Sequence, residues 1–312
     1  MGRVAKQSFI NSINSYLGVV LGAFNTLILF PRIFIDNPDF VGEVNTLMAF
    51  ATIAATFGHL GFPISIVSFF PRLNAQQKES FWTLSLLSSF IGSLLLISGT
   101  LAFNWLQPQW LGSSQTAILL IVGMLFFEVF AGISQNSSKV IFPQFLKNVF
   151  RRLIILAALI WAYFFHKSES TFYLILGLGY ILELVAVLFY ARKHMPRLRW
   201  DFNIINTKDI LKYGLLVMLA SGSLILVTKI DILMIRSMLG KSDVAFYNIA
   251  FFIGTVVAVP VKALMVSIRP FMSKAWGRND FKEVHNLYQR SALTQLVLTG
   301  FLFIFVWANL DL

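Results

Sequence analysis

The residues of this sequence with the most chemistry to offer are ionisable side chains set inside long apolar runs. In KIDILMIRSMLGKSDVAFYNIA, Lys229 and Asp231 stand two positions apart, and Glu128, Glu183 and Lys262 are each embedded among aliphatic and aromatic residues. A charge at the middle of a bilayer costs roughly 2.5–3.5 kcal/mol on insertion scales, so each needs a partner, water or a ligand. A carboxylate in such a place can bind a cation or take up a proton, and a lysine can hold an anion as a point charge. On a helix, Lys229 and Asp231 point about 200° apart, so they address two different surfaces and not each other.

The elements that position these groups follow from the composition. A chain of 312 residues that is 57% hydrophobic and only 12% charged, with a mean hydropathy of +0.75, lies outside the range of soluble domains. Apolar stretches near 8–30, 43–69, 81–106, 116–135, 149–165, 172–191, 210–235, 245–268 and 291–309 predict an all-α polytopic membrane protein of about nine transmembrane helices. The fifth stretch is the shortest, because only Leu153 to Phe165 is free of charge.

The net charge of +11 would suggest nucleic acid in a soluble protein, but its placement gives it another meaning. With the N-terminus cytoplasmic, Arg32, Lys167, Arg236 and Lys241 fall in outer segments, Lys229 and Lys262 fall within spans, and every other basic residue falls inside. This is the bias that orients membrane proteins, so no nucleic-acid partner is implied. The chain has no cysteine and four scattered histidines, which leaves no pattern for a metal centre. No catalytic dyad or phosphate-cradling glycine loop is present, so the sequence predicts a non-enzyme without a cofactor.

Polar residues fall in stripes. Asn11, Gly18, Asn25 and Arg32 recur at intervals of seven, as do Asn45, Thr52 and His59. Such spacing keeps a set on one helix face. Gly214, Ser221, Thr228 and Ile235, then Asn248, Thr255 and Lys262, repeat both stripes 203 positions later. The pattern reads either as a parallel duplication whose polar faces converge on a shared space, or as small and polar residues that pack helices together.

Several segments carry a likeness. LILFPRIF, FVGEVNTLMAF and LGFPISIVSFFPRL in the first half, and KIDILMIRSMLGKSDVAFYNIAFF, VPVKAL and RPFMSKAWGRND in the second, resemble polysaccharide-biosynthesis membrane proteins. These are oligosaccharide-lipid flippases of O-antigen and teichoic-acid type, within the superfamily that includes the MATE multidrug exporters. The resemblance implies MATE-like helical lobes around a cavity lined by the first, second, seventh and eighth helices, in a multi-pass protein of the bacterial plasma membrane. Relatives have twelve to fourteen spans, so residues 1–200 are expected to form a six-helix lobe and 201–312 an incomplete, truncated second lobe.

What the likeness implies is transport of a polyprenyl-diphosphate-linked oligosaccharide among membrane lipids, driven by Na+ or H+. Asn25, Thr228, Asn248 and Thr255 would then line the pathway, and Lys262 beside Pro260, together with Arg32, would receive the diphosphate. Each has a plainer reading, Lys262 as a structural charge and Arg32 as an interfacial anchor. Asp231 reads as an ion-coupling carboxylate or as half of an interhelical pair, and Lys229 as a gating or a snorkelling residue. Glu128 and Glu183 read as titrating groups or as carboxyls bonded to a neighbouring helix, and His59 as packing. The alternatives to the flippase are a cation-coupled multidrug or metabolite exporter of the same fold, an inactive remnant, and a membrane-embedded transferase for which no acid/base pair is found.

Overall fold

The computed structural model describes residues 3–108, 110–137, 139–165, 168–257, 268, 272, 275, 276 and 278–308. Lys262 and Pro260 lie outside the described residues. The fold is all-α. Helix α1 (Arg3–Ala23) passes through a π-helical stretch (Phe24–Leu29) into the short α2 (Phe30–Ile33). Then come α3 (Pro38–Gly58), α4 (Phe62–Phe69), α5 (Ala75–Leu106) and α6 (Ser114–Asn136). After α7 (Ile141–Phe145) a second π-helical stretch (Leu146–Phe150) leads into α8 (Arg151–Phe164), followed by α9 (Glu169–Ala191), α10 (Thr207–Met238), α11 (Lys241–Val257) and α12 (Phe281–Ala308).

Helix starts follow from local sequence. Asn74 caps α5 by accepting from the Gln77 amide while the Gln77 side chain accepts from the Asn74 amide, a reciprocal pair that satisfies two orphan donors. Asn37, Ser113 and Asn206 cap α3, α6 and α10 in the same sense, each accepting an amide three residues on.

Six helical stretches are long and apolar enough to cross a membrane among the described residues: Ile10–Ile33, Pro38–Gly58, Ala75–Leu106, Ser114–Asn136, Glu169–His194 and Thr207–Met238. They coincide with six of the expected spans. The fifth expected span is α8, continuous with α7 through the π turn and carrying Lys147, Arg151 and Arg152 in its first half. The eighth lies partly outside the described residues, and the ninth falls within α12 as far as Ala308.

The second expected span, 43–69, is two helices. It breaks at His59–Gly61, where Leu60 and Gly61 both take positive φ (50° and 74°). A Cβ on Gly61 would also lie 2.1 Å from the Gly214 carbonyl oxygen, so both backbone conformation and close approach require glycine there. Backbone groups freed by the break are recovered locally: the Gly61 amide donates to His59 Nδ1, and the Ser65 amide and hydroxyl both donate to the Gly61 carbonyl. Unsatisfied groups at this depth would cost several kcal/mol each.

The chain forms two compact units, Met1–Asn248 and Ile249–Leu312. In the first, α6 is the central helix, with Phe127, Leu120, Ile121 and Leu125 fully buried among α3, α4, α5 and α9. Small residues set its close contacts: a Cβ on Gly132 would lie 2.9 Å from the Pro63 carbonyl oxygen, and one on Gly123 3.1 Å from that of Tyr180. At the end opposite the basic segments, Phe34, Phe40 and Phe172 pack with ring centroids 4.7–6.2 Å apart. Helix α10 lies along α3 and α4 within the same unit, from Gly214 against Leu60 and Gly61, through Gly222 under the Phe57 ring, to Ile232 against Ala49. The second unit holds the end of α11 and α12, whose start is capped by Asp280 Oδ1 accepting from the Glu283 amide at 2.9 Å. Leu293, Leu296, Phe301 and Ile304 of α12 are exposed, as a lipid-facing helix requires.

Candidate functional site

The two carboxylates set in the apolar runs of α6 and α9 are each paired with a cation. Lys147 Nζ lies 2.6 Å from Glu128 Oε1, and Arg151 Nε donates to both Glu183 oxygens at 2.9 and 3.0 Å. Both cations sit on the segment running from the π turn into α8, four residues apart, and reach carboxylates on α6 and α9. Glu183 is fully buried, and the Arg151 guanidinium lies 4.9 Å from the Phe127 ring centroid and 5.4 Å from that of Tyr180. A guanidinium can bind a carboxylate and stack on aromatic faces at once, which is why arginine suits this interior. Each carboxylate is thus engaged by a cation, Glu183 inside the core and Glu128 with its side chain partly exposed.

Asp231 accepts from the Tyr247 hydroxyl at 2.7 Å, which ties α10 to α11. Lys229, about 200° around α10 from Asp231, is half-buried and lies near enough to Arg152 for the two charges to repel. Arg152 follows the π turn at the start of α8. Its carbonyl accepts from Asn25 Nδ2 at 2.9 Å, which anchors the backbone to the π-helical stretch of α1. π-Helical turns recur at functional sites, and here one of them bonds the Arg152 carbonyl while the other leads into the helix that carries it. Among the described residues, no hydrogen bond or ion pair engages the Arg152 guanidinium or the Lys229 ammonium. Two half-buried cations within electrostatic reach of one another repel, a repulsion that an anion would relieve.

The other expected site residues are placed differently from one another. Asn25 is 2% exposed and faces α8, so the α1 stripe is an internal seam: a Cβ on Gly18 would lie 2.4 Å from the Asn148 carbonyl oxygen. Thr228 and Thr255 donate to carbonyls of their own helices, those of Ile225 and Phe251, at 2.9 Å. Asn248 is half-buried, and Arg32 is exposed at the end opposite the basic segments. Lys262 falls outside the described residues. His59 is buried and spends Nδ1 on the α3 break, which is a packing role.

Sequence reasoning passed over Arg152, because it counted this residue with the inner loop that orients the chain. The signal was present: thirteen uncharged residues, Leu153 to Phe165, reach about 20 Å as a helix and cannot cross roughly 30 Å of hydrocarbon alone. The span had to draw its first half, arginines included, into the bilayer.

Residues 5–276 match the family described as polysaccharide biosynthesis protein. The chain belongs to this family. Its fold is similar to a solved structure titled as the inward-facing conformation of a multidrug resistance MATE family transporter of the MOP superfamily. The TM-score is 0.65 at 16% identity, over 92% of this chain and 68% of that one. At that identity the likeness speaks for the fold, which is the MATE-like fold expected from the sequence. No curated protein sequence matches the chain. Family and fold together make this a multi-pass helical membrane protein of the polysaccharide-biosynthesis family with a MATE-like fold.

Proposed function

We propose that the protein flips a polyprenyl-diphosphate-linked oligosaccharide across the bacterial plasma membrane by alternating access, with its basic end in the cytoplasm. The carrying observation is the pair Arg152 and Lys229, half-buried cations whose side chains no hydrogen bond or ion pair engages among the described residues, whereas Lys147 and Arg151 beside them are tied to Glu128 and Glu183. A diphosphate fits this pair, since guanidinium offers forked donors and ammonium a movable point charge. The resemblance-based roles of Lys262 and Arg32 as further contacts, and of two lobes at 1–200 and 201–312, belong to the same reading. With Glu128 and Glu183 occupied by tethered cations, coupling to Na+ or H+ falls to Asp231, which can exchange its Tyr247 contact for an ion.

The test is surface glycan output of a strain that depends on this protein. Arg152→Gln and Lys229→Met should each lower output about tenfold or more at unchanged protein level, because a charge-assisted contact is worth roughly 1.5–3 kcal/mol. Unchanged glycan in both variants would overturn the assignment. Normal glycan with new sensitivity to cationic drugs would point instead to a multidrug exporter of the same fold.

A further inference from the structure

One carboxylate at the end opposite the basic segments is held by three helices. Glu43, one turn into α3, accepts from the Tyr173 hydroxyl of α9 at 2.7 Å through Oε1 and pairs with Lys241 of α11 through Oε2. Gly112, at φ 71°, closes behind the carboxylate, where a Cβ would lie 1.7 Å from Oε1. The α11 backbone sits tightly on α3: a Cβ on Gly42 would lie 1.7 Å from the Lys241 carbonyl oxygen. Beneath the ion pair, Ala49 of α3 packs with Ile232 of α10 and Val244 of α11, all nearly inaccessible. On the flank, Arg236 of α10 donates to the Trp110 carbonyl at 3.4 Å and lies over its ring at 5.7 Å.

The two donors to Glu43 differ in what they join. Tyr173 and Glu43 belong to helices of one packed core, since Phe40, Phe172 and Tyr173 are in ring contact. Lys241 belongs to the α10–α11 hairpin, whose turn is Gly240 at φ 150°, a backbone conformation open to glycine. A depression of about 600 Å³ lined by Glu43, Gly112, Thr116, Glu169 and Tyr173 brings water to the carboxylate.

We propose that Glu43, Tyr173 and Lys241 form a latch that closes the outer end of the transport path. Lys241 leaves when the α10–α11 hairpin swings from α3, and Tyr173 holds Glu43 in place so that the same pair re-forms on closure. Water in the depression solvates Glu43 in the open state. The proposal rests on the alternating-access reading above, but its test needs no substrate.

The chain lacks cysteine, so a single Ala49→Cys substitution reports opening through labelling by a membrane-impermeant maleimide added outside intact cells. Labelling should be slow in that background and rise about fivefold in Glu43→Gln and in Lys241→Met. The Glu43→Gln/Lys241→Met double variant should label no faster than either single, because one pair is lost in all three. Tyr173→Phe should give a smaller rise, and Lys241→Arg and the reversed pair Glu43→Lys/Lys241→Glu should stay near background. Background labelling in both single variants, or additive rates in the double, would overturn the latch. If a single variant fails to accumulate, the reversed pair decides: rates raised as much as in the surviving single variant overturn the proposal. Faster labelling with unchanged glycan output leaves the latch standing and overturns the transport reading, so the two failures are distinct.

Discussion

A bilayer interior penalises a lone charge, and the side chains of this protein answer in two ways. Glu183 and Arg151 answer by pairing, and because the pair is buried its value lies in both halves being present. Glu183→Ala leaves a buried guanidinium without its carboxylate and should destabilise by about 3–5 kcal/mol, whereas Arg151→Met with Glu183→Leu should recover most of that loss. Thermal unfolding in detergent checks both. Arg152 and Lys229 differ: among the described residues no hydrogen bond or ion pair engages either side chain. That contrast was only half legible in the sequence. Lys229 announced itself as a charge in an apolar run, while Arg152 was masked by its neighbours Lys147 and Arg151, which look like the same cluster but are tied to Glu128 and Glu183.

Helices carry these residues to their places through irregularities more than through regular turns. The Asn25 contact to the Arg152 carbonyl joins the π-helical stretch Phe24–Leu29 to the first turn of α8, just past the π-helical stretch Leu146–Phe150. Asn25→Ala should cost about 0.6 kcal/mol, the usual scale of an interhelical hydrogen bond in lipid, and lower transport through displacement of Arg152. Unfolding and glycan output measured together separate the two effects. The break at His59–Gly61 is less forgiving. Gly61→Ala forces a side chain into φ 74° and against the Gly214 carbonyl, so a loss of about 1–3 kcal/mol is expected in the same assay. Neither irregularity follows from hydropathy. The segment GHLGFP held glycines and a proline that can end a helix, but apolar continuity on both sides concealed the break. Period-seven stripes were real as faces, yet a face of small and polar residues suits helix packing as well as a wet channel. On α1 packing is what it does, since Asn25 is buried and Gly18 abuts Asn148.

At the scale of the whole molecule, membrane residence and helical architecture were the most legible features, because both follow from the bulk cost of exposing polar backbone to hydrocarbon. The family likeness carried by apolar motifs pointed to the same fold, and the match over residues 5–276 places the chain there. What remained illegible was that Arg152 and Lys229, on helices far apart in sequence, come within electrostatic reach of one another. Orientation follows from the distribution of basic residues and is open to direct test. In the cysteine-free chain, Gln107→Cys should react with an impermeant maleimide outside intact cells, and Gln76→Cys only after the membrane is permeabilised. The measurement closest to the central claim is binding of farnesyl diphosphate, a short polyprenyl diphosphate, to the purified protein, with farnesol as the uncharged control. Tighter binding of the diphosphate, weakened about tenfold by Arg152→Gln or Lys229→Met and lost in the double variant, is the expected result. Equal affinity of the double variant and the unaltered protein for the diphosphate would contradict it.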